Sequence, residues 1–597
     1  MSFVRAPPVR ETSPDGQAPR RFRRPPHLSQ THPRPGHTRP GRASSLPLRS
    51  DHAPHRDPPR RIATLLAVAA ALPLAAQQPA APAPGDSVPL FTSLGSLHHP
   101  VTATPAAQAY FDQGLRLMYG FNHEEAINSF RQGAKLDPGC AMCRWGVAVA
   151  LGPNINAPMD PALEKQAADE IAAAQALAAR VTEPERAYIA AAARRYSASA
   201  GENRAPLDSA YATAMRDVAR RHPNDADAQA LFAEAMLDLS PWDNWAPDGT
   251  PKPGTEELVA ALEGALARHP DHPGACHFYI HAVEASLHPE RALPCAERLP
   301  SLMPGAGHLV HMPAHLYMRV GRYADATAAN EHAAHTDQAY IADRQPKGMY
   351  PFYLFHNLDF LRAAASMEGR SAEAIGTAQE MVQQITPELA RQVGQAEMSM
   401  PAHALALARF GRWSEVLAEP APPADLRYAG GIRHYARGLA FAATNRFAEA
   451  SAELDSVTAI ETSVPADKLL GFHRAKDLLG VAHHALAGEI ALRRGRAGEA
   501  VPHLEAAVRM QDGLRYDEPP PWYYPVRQSL GAALLAGRPA DAERVYRDDL
   551  LRNPDNGWSL YGLSQALRAQ GKDDADARRR FTAAWSRADV TLTSSRF

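Results

Sequence analysis

Four histidines recur at one spacing. The pair His277 and His281 returns in the same register as His311 and His315. A helix turns about 100° per residue, so side chains four apart lie within about 40° of each other on one face. Glu284, seven residues after His277, extends that stripe, and His308, seven before His315, does the same. Neutral imidazole is the common nitrogen ligand of transition metals, and a neighbouring carboxylate adds the charge a cation needs. Helices packed about 8 to 10 Å apart let pairs from both reach one ion. The row therefore has the donor set for a divalent transition metal: Zn, Fe, Cu, Ni or Mn. The same row would also line a polar, water-filled groove whose imidazoles hydrogen-bond one another or take an acidic peptide.

Other chemistry is thin. The chain has no Gly-rich phosphate loop, no G-x-S-x-G elbow and no H-E-x-x-H. The Asn154 and Asn156 loop, LGPNINAPMD, and the stretch Asp517 to Arg527, DEPPPWYYPVR, read as turns packing on neighbouring helices. Residues 1–61 carry 13 Arg and 4 acidic residues, while the remainder has 50 basic and 61 acidic residues. That acidic remainder lacks the basic stripe a phosphate backbone requires, which argues against nucleic acid as a partner.

The elements that position the histidines must repeat as they do. The interval from His277 to His311 matches the period of stacked helix-turn-helix units, roughly 34 residues, in which each unit buries its apolar face on the next. The segment Ala109 to Pro138, AYFDQGLRLMYGFNHEEAINSFRQGAKLDP, resembles a tetratricopeptide repeat: small Gly114 in the first helix, Ala126 and Phe130 in the second, Pro138 closing the unit. One turn type recurs from Gly321 to Ala326, Gly369 to Ala374, Asn445 to Ala450, Gly495 to Ala500 and Gly537 to Ala542. From these marks, units begin near Ala107, Ala141, Ala226, Pro273, Gly307, Phe355, Glu397, Gly431, Val481, Tyr523 and Gly557. The expected fold is an all-α solenoid, a right-handed superhelix of antiparallel helix pairs. Two insertions interrupt it, Ser240 to Thr255 with Trp242 and Trp245, and Asp337 to Phe352 with Tyr340 and Tyr350.

The resemblance implies which side chains face inward, because the first helix of each tetratricopeptide pair lines a concave groove through positions 2, 5, 9, 12 and 13. His308 and His356 match position 2, His277 and His311 position 5, His281 and His315 position 9, Glu284 position 12 and Arg319 position 13. Trp145, at position 5 of the second unit, should face the same channel, and Arg527 could hold an anionic ligand there. His269, His272, His288, His332 and His335 match no groove position and read as turn or surface residues. Pro313 departs from the family pattern; if a helix begins at Met312, His311 leaves the stripe. Cys276 and Cys295 match positions that face each other across a helix pair, which implies a disulfide. Cys140 and Cys143 could close a small ring or stay reduced. The strings Cys140-x-Met142-Cys143-x-Trp145-Gly146 and His311-Met312-Pro313-x-His315 are similar to those of a group of exported bacterial repeat proteins, which brings no function with it.

The apolar stretch Ile62 to Ala76, after Arg60 and Arg61, has the anatomy of a secretory signal peptide and is short for a membrane span. The expected layout is a leader or mis-assigned start over 1–61, the signal over 62–76, a Pro/Ala linker over 77–103, a repeat array with the His-rich groove over 104–390 and a second array over 391–597. The expected function is an exported scaffold, periplasmic or secreted, with no transmembrane segment in its mature form. Its groove would hold a ligand, a metal ion above all, or a peptide or protein partner. A metal-dependent hydrolase or oxidoreductase using the same cluster is the alternative. N-terminal sequencing of the exported protein should begin near Gln77; residues preceding it would reject the reading of 1–61 as an extension not made in the cell.

Overall fold

A computed structural model of the chain describes residues 88–197 and 203–597, all within one compact unit. The leader, the signal stretch and residues 77–87 lie outside the described residues. The chain is an all-α, tetratricopeptide-like solenoid of helix pairs. Among the described residues the only strands are Leu469–Leu470 and His473–Arg474, one short antiparallel ladder.

Local chemistry starts and stops the helices. Asn122 caps Glu125 N at 3.3 Å, Thr182 and Glu185 form a reciprocal capping box, and Pro273 and Pro313 open their helices where no amide donor is needed. First helices begin at Pro105, Ala141, Ala226, Pro273, Gly307, Tyr350, Gly394, Arg427, Ala475, Arg527 and Gly557, close to the marks in the sequence. Pairs then lock through small-to-large contacts. The buried Phe130 ring lies against Gly114 and Gly146, where added Cβ atoms would stand 2.6 and 2.5 Å from it.

Three expectations change. Asp337 to Phe352 is not a loop: the helix Tyr323–Arg344 runs on for 22 residues, and the next begins at Tyr350. Residues 88–103, expected as linker, are tied to the array, with Phe91 N donating to Gln113 Oε1 at 2.7 Å and Thr102 N to Glu185 Oε1 at 2.7 Å. The inner face is also not open, because the chain covers it with its own segments. Arg515 donates to Pro241 O, Trp558 Nε1 to Ser366 O at 2.9 Å, and Ser371 N to Asp589 Oδ1 at 2.7 Å. Helices near the C-terminus thus return to the middle of the array.

Asp337 sets the join between the helices that matter most for the histidines. Its buried carboxylate accepts from Tyr350 Oη and Asn357 Nδ2, both at 2.7 Å. A Cβ on Gly307, which opens the helix of His308 and His311, would fall 1.8 Å from Asp337 Oδ1, so only glycine fits.

Two measurements test this packing. Gly114→Ala should push a methyl into the Phe130 ring and cost about 1–3 kcal/mol, read as an earlier urea midpoint by circular dichroism. Burial raises the Asp337 carboxyl to about 7, against which the Tyr350 and Asn357 hydrogen bonds act only in part. A carboxyl raised on folding is neutral in both states at low pH and loses stability as pH climbs from the unfolded to the folded value. Asp337→Asn should therefore match the parent's melting temperature near pH 4 and exceed it by pH 8.

Candidate metal centre

The helix Pro273–Val283 supplies His277 and His281, and Glu284 is its C-cap. Pro313 does break the next helix, into Gly307–His311 and Pro313–Arg319. His311 nevertheless stays on the inner side, with its Nε2 2.7 Å from His315 Nε2. His356 comes from the helix Tyr350–Glu368. All seven predicted side chains meet. His277, His281, Glu284, His308, His311 and His315 are between 0 and 4% exposed, and His356 is half-buried.

Two three-imidazole groups result, His277 with His281 and His308, and His311 with His315 and His356, the donor atoms of each lying within 4.8 Å of one another. Each takes positions 5 and 9 of one unit and position 2 of the next, so the repeat builds the same triad twice.

Hydrogen bonds on the far sides of four of the six rings fix their tautomers, whereas the buried His308 Nδ1 has no partner. His277 Nδ1 donates to the Tyr119 carbonyl at 2.7 Å. His311 Nδ1 donates to Asn330 Oδ1 at 2.6 Å, and Asn330 is oriented by its amide donating to Ala326 O at 2.7 Å. Glu284 takes the other two, Oε1 from His281 Nδ1 at 2.8 Å and Oε2 from His315 Nδ1 at 2.6 Å. In those four rings Nδ1 carries the proton and Nε2 presents a lone pair. Those lone pairs face each other, His277 to His281 at 3.1 Å and His311 to His315 at 2.7 Å, with His308 Nε2 also 3.1 Å from His277 Nε2.

Electrostatics keep five of the six rings neutral. Burial pushes His277 down to about 3 and His356 to about 4. It drives His281, His308 and His311 well below the usual value, helped by the neighbouring imidazoles. Burial, then the adjacent Glu518, raises the Glu284 carboxyl. Burial would raise Glu518 too, but the pull of His315 overcomes it and brings that carboxyl to about 2. Arg319 donates its Nε to the Glu284 carbonyl at 2.9 Å, bracing the end of that helix.

Several residues fall outside the site. Trp145 does not face the channel; it is buried between Phe111 and Tyr188, ring centroids 6.5 and 5.7 Å away, because its helix turns that face into the core. Arg527 is spent on Asp512, both Nη atoms 2.6 Å from its oxygens. Cys276 and Cys295 do face each other, Sγ atoms 2.7 Å apart, but as free buried thiols; the disulfide is Cys140–Cys143. His272 is not a surface residue. It is buried, caps Ala275 N and bonds Asp227 at 3.0 Å.

Two residues at the site were missed in the sequence. Glu518 reaches His315 from a loop near the other end of the chain, and nothing in the repeat register marks it. Phe121 lies over the first triad, 4.5 Å from the His277 ring and stacked at 5.3 Å on His308. Its signal was present: it occupies the turn position held by Gly321, Gly369 and Gly495, and like them it has positive φ, 55°.

No protein-family model matches the chain, and no curated protein does. Among solved structures, the human IFIT1 dimer with m7Gppp-AAAA is similar over 82% of this chain and 91% of that one, at 11% identity and a TM-score of 0.31. The yeast Tom70 crystal structure is similar over 81% and 92%, at 11% identity and a TM-score of 0.27. Naa15/Naa10 bound to HypK-THB is similar over 82% and 90%, at 11% identity and a TM-score of 0.23. The likeness is one of stacked helices alone and carries nothing about what this chain binds.

Proposed function

We propose that this chain is an exported helical scaffold that encloses a pair of transition-metal ions, one in each histidine triad. The observation that carries the reading is the pairing of lone pairs. Two neutral imidazole nitrogens 3.1 Å or 2.7 Å apart repel unless a cation lies between them. A proton on His281 or His311 would make an imidazolium, which burial opposes. A metal ion removes the repulsion and is what converging Nε2 atoms with hydrogen-bonded Nδ1 atoms suit. Glu518, held ionised, supplies negative charge beside it, and Glu284 orients the rings. Imidazole donors suit Zn, Cu, Fe or Ni, and the carboxylates leave Mn open.

The environment supports the rest of the reading. An oxidising compartment, which the apolar stretch Ile62 to Ala76 suggests, suits the Cys140–Cys143 disulfide. A peptide in the groove is the weaker occupant, because Trp242, 4.9 Å from the His281 ring, and Glu518 stand where it would lie.

Elemental analysis of tag-free mature protein should find about two transition-metal ions per chain, matching two triads. His281→Ala and His315→Ala should each lose about one, and the double variant both. Folded protein that holds no metal after incubation with Zn, Cu, Fe or Mn salts would overturn the reading.

A further inference from the structure

The two triads share a plan but not a setting. Around the first, every ring is covered. Phe121 lies on His277 and His308 and stacks at 6.3 Å on His281. Phe278 stacks on His277 at 5.2 Å, Trp242 meets His281 edge-on at 4.9 Å, and Tyr353 packs on His308 at 4.6 Å. A cavity of about 360 Å³ lies beyond the turn that carries Phe121, lined by Leu117, Gly120, Asn122, Tyr340 and Tyr350 among others, and no triad imidazole lines it.

The cover over the first triad is held against the local backbone preference. Phe121 takes a left-handed conformation, φ 55°, where sister turns use glycine or, at Asn445, asparagine, and a bulky side chain is disfavoured there. A turn needs no aromatic ring, whereas sealing three imidazoles does.

Around the second triad, Phe360 is the only non-histidine aromatic ring among the described residues that packs on the imidazoles, although His311 and His315 are as buried as the first three. Phe360 stacks on His315 at 4.7 Å and meets His311 and His356 edge-on at 4.8 and 5.1 Å. His356 alone of the six imidazoles is half-buried rather than buried. It is also unanchored, for among the described residues neither of its ring nitrogens has a hydrogen-bond partner, unlike His311, held by Asn330, and His315, held by Glu284.

Resting on the metal reading above, we infer that the His311, His315 and His356 position is coordinatively open. It takes a small donor from solvent, water or a small anion, while the His277, His281 and His308 position is closed to it. The first ion is then a fixed neighbour, and the second is where exogenous chemistry takes place.

Cobalt(II)-loaded protein titrated with azide tests this. With about two cobalt ions bound, the parent should take up about one azide per chain, seen as a partial change of the visible ligand-field bands. In paramagnetic proton NMR the Nδ1–H signals of His311 and His315 should shift, and those of His277 and His281 should stay. Phe121→Gly, which fits the left-handed turn, should raise the uptake to about two. If two cobalt ions bind and azide reaches neither, or both in the parent, or shifts the first pair's signals, this inference falls and the metal reading stands. If cobalt does not bind at all, the metal reading itself falls. Should the Phe121 variant fail to fold, the parent's NMR pattern still decides.

Discussion

One carboxylate holds the two halves of the centre together. Glu284 is fully buried, and its two oxygens accept from His281 and His315, imidazoles from successive repeats. Those bonds fix which ring nitrogen carries the proton, and so turn the opposite nitrogens toward their partners. Burial and the adjacent Glu518 raise its carboxyl, so its state depends on the groups packed around it. Its neighbours are therefore constrained as well: Arg319 on its carbonyl, Glu518 beside it, Asn330 and the Tyr119 carbonyl at the outer ends of the two imidazole pairs.

A second polar cluster shows what a structural network looks like. Asp227 accepts from Tyr119 Oη at 2.6 Å, His272 Nε2 at 3.0 Å and His99 Nδ1 at 2.7 Å. Although burial alone would raise it, His272 and His99 hold its carboxyl well below the usual range. Neighbouring Asp225 caps Ala228 N and accepts from Tyr188 Oη. Asp227 and Asp225 thus have donors on both oxygens, and the network ties residues 88–103 to the array with no further cation required. The triads differ because the Nε2 atoms of His277, His281, His311 and His315 have other imidazole nitrogens beside them. Tyr119 belongs to both clusters, its hydroxyl to one and its carbonyl to the other, so the packed polar network helps set the position of His277.

Much of this was legible along the chain. The regular return of one histidine pattern, small residues opposite Phe130 and prolines at unit ends specify stacked helix pairs, because each feature acts within one hairpin or on its neighbour. The phase of His277, His281, His308, His311, His315, His356 and Glu284 followed from the same period, since a helix converts spacing into direction. The misplacements were equally physical. Trp145 shares a groove register but turns into the core, and Asp337 extends a helix where a loop was expected, because apolar packing and a buried hydrogen-bonded carboxylate outweigh a repeat pattern.

By itself, then, the sequence determined the helical repeat, the twofold occurrence of one histidine pattern and the face on which it lies, all properties carried by local periodicity. Only the tertiary structure decided that the face is closed rather than open, that Glu518 arrives from a distant part of the chain and that Phe121 packs on one triad while His356 of the other is half-buried. Those outcomes depend on how far the array curls and which distant segments it brings back. That curvature sums small rotations between every pair of units, so no single stretch of residues records it.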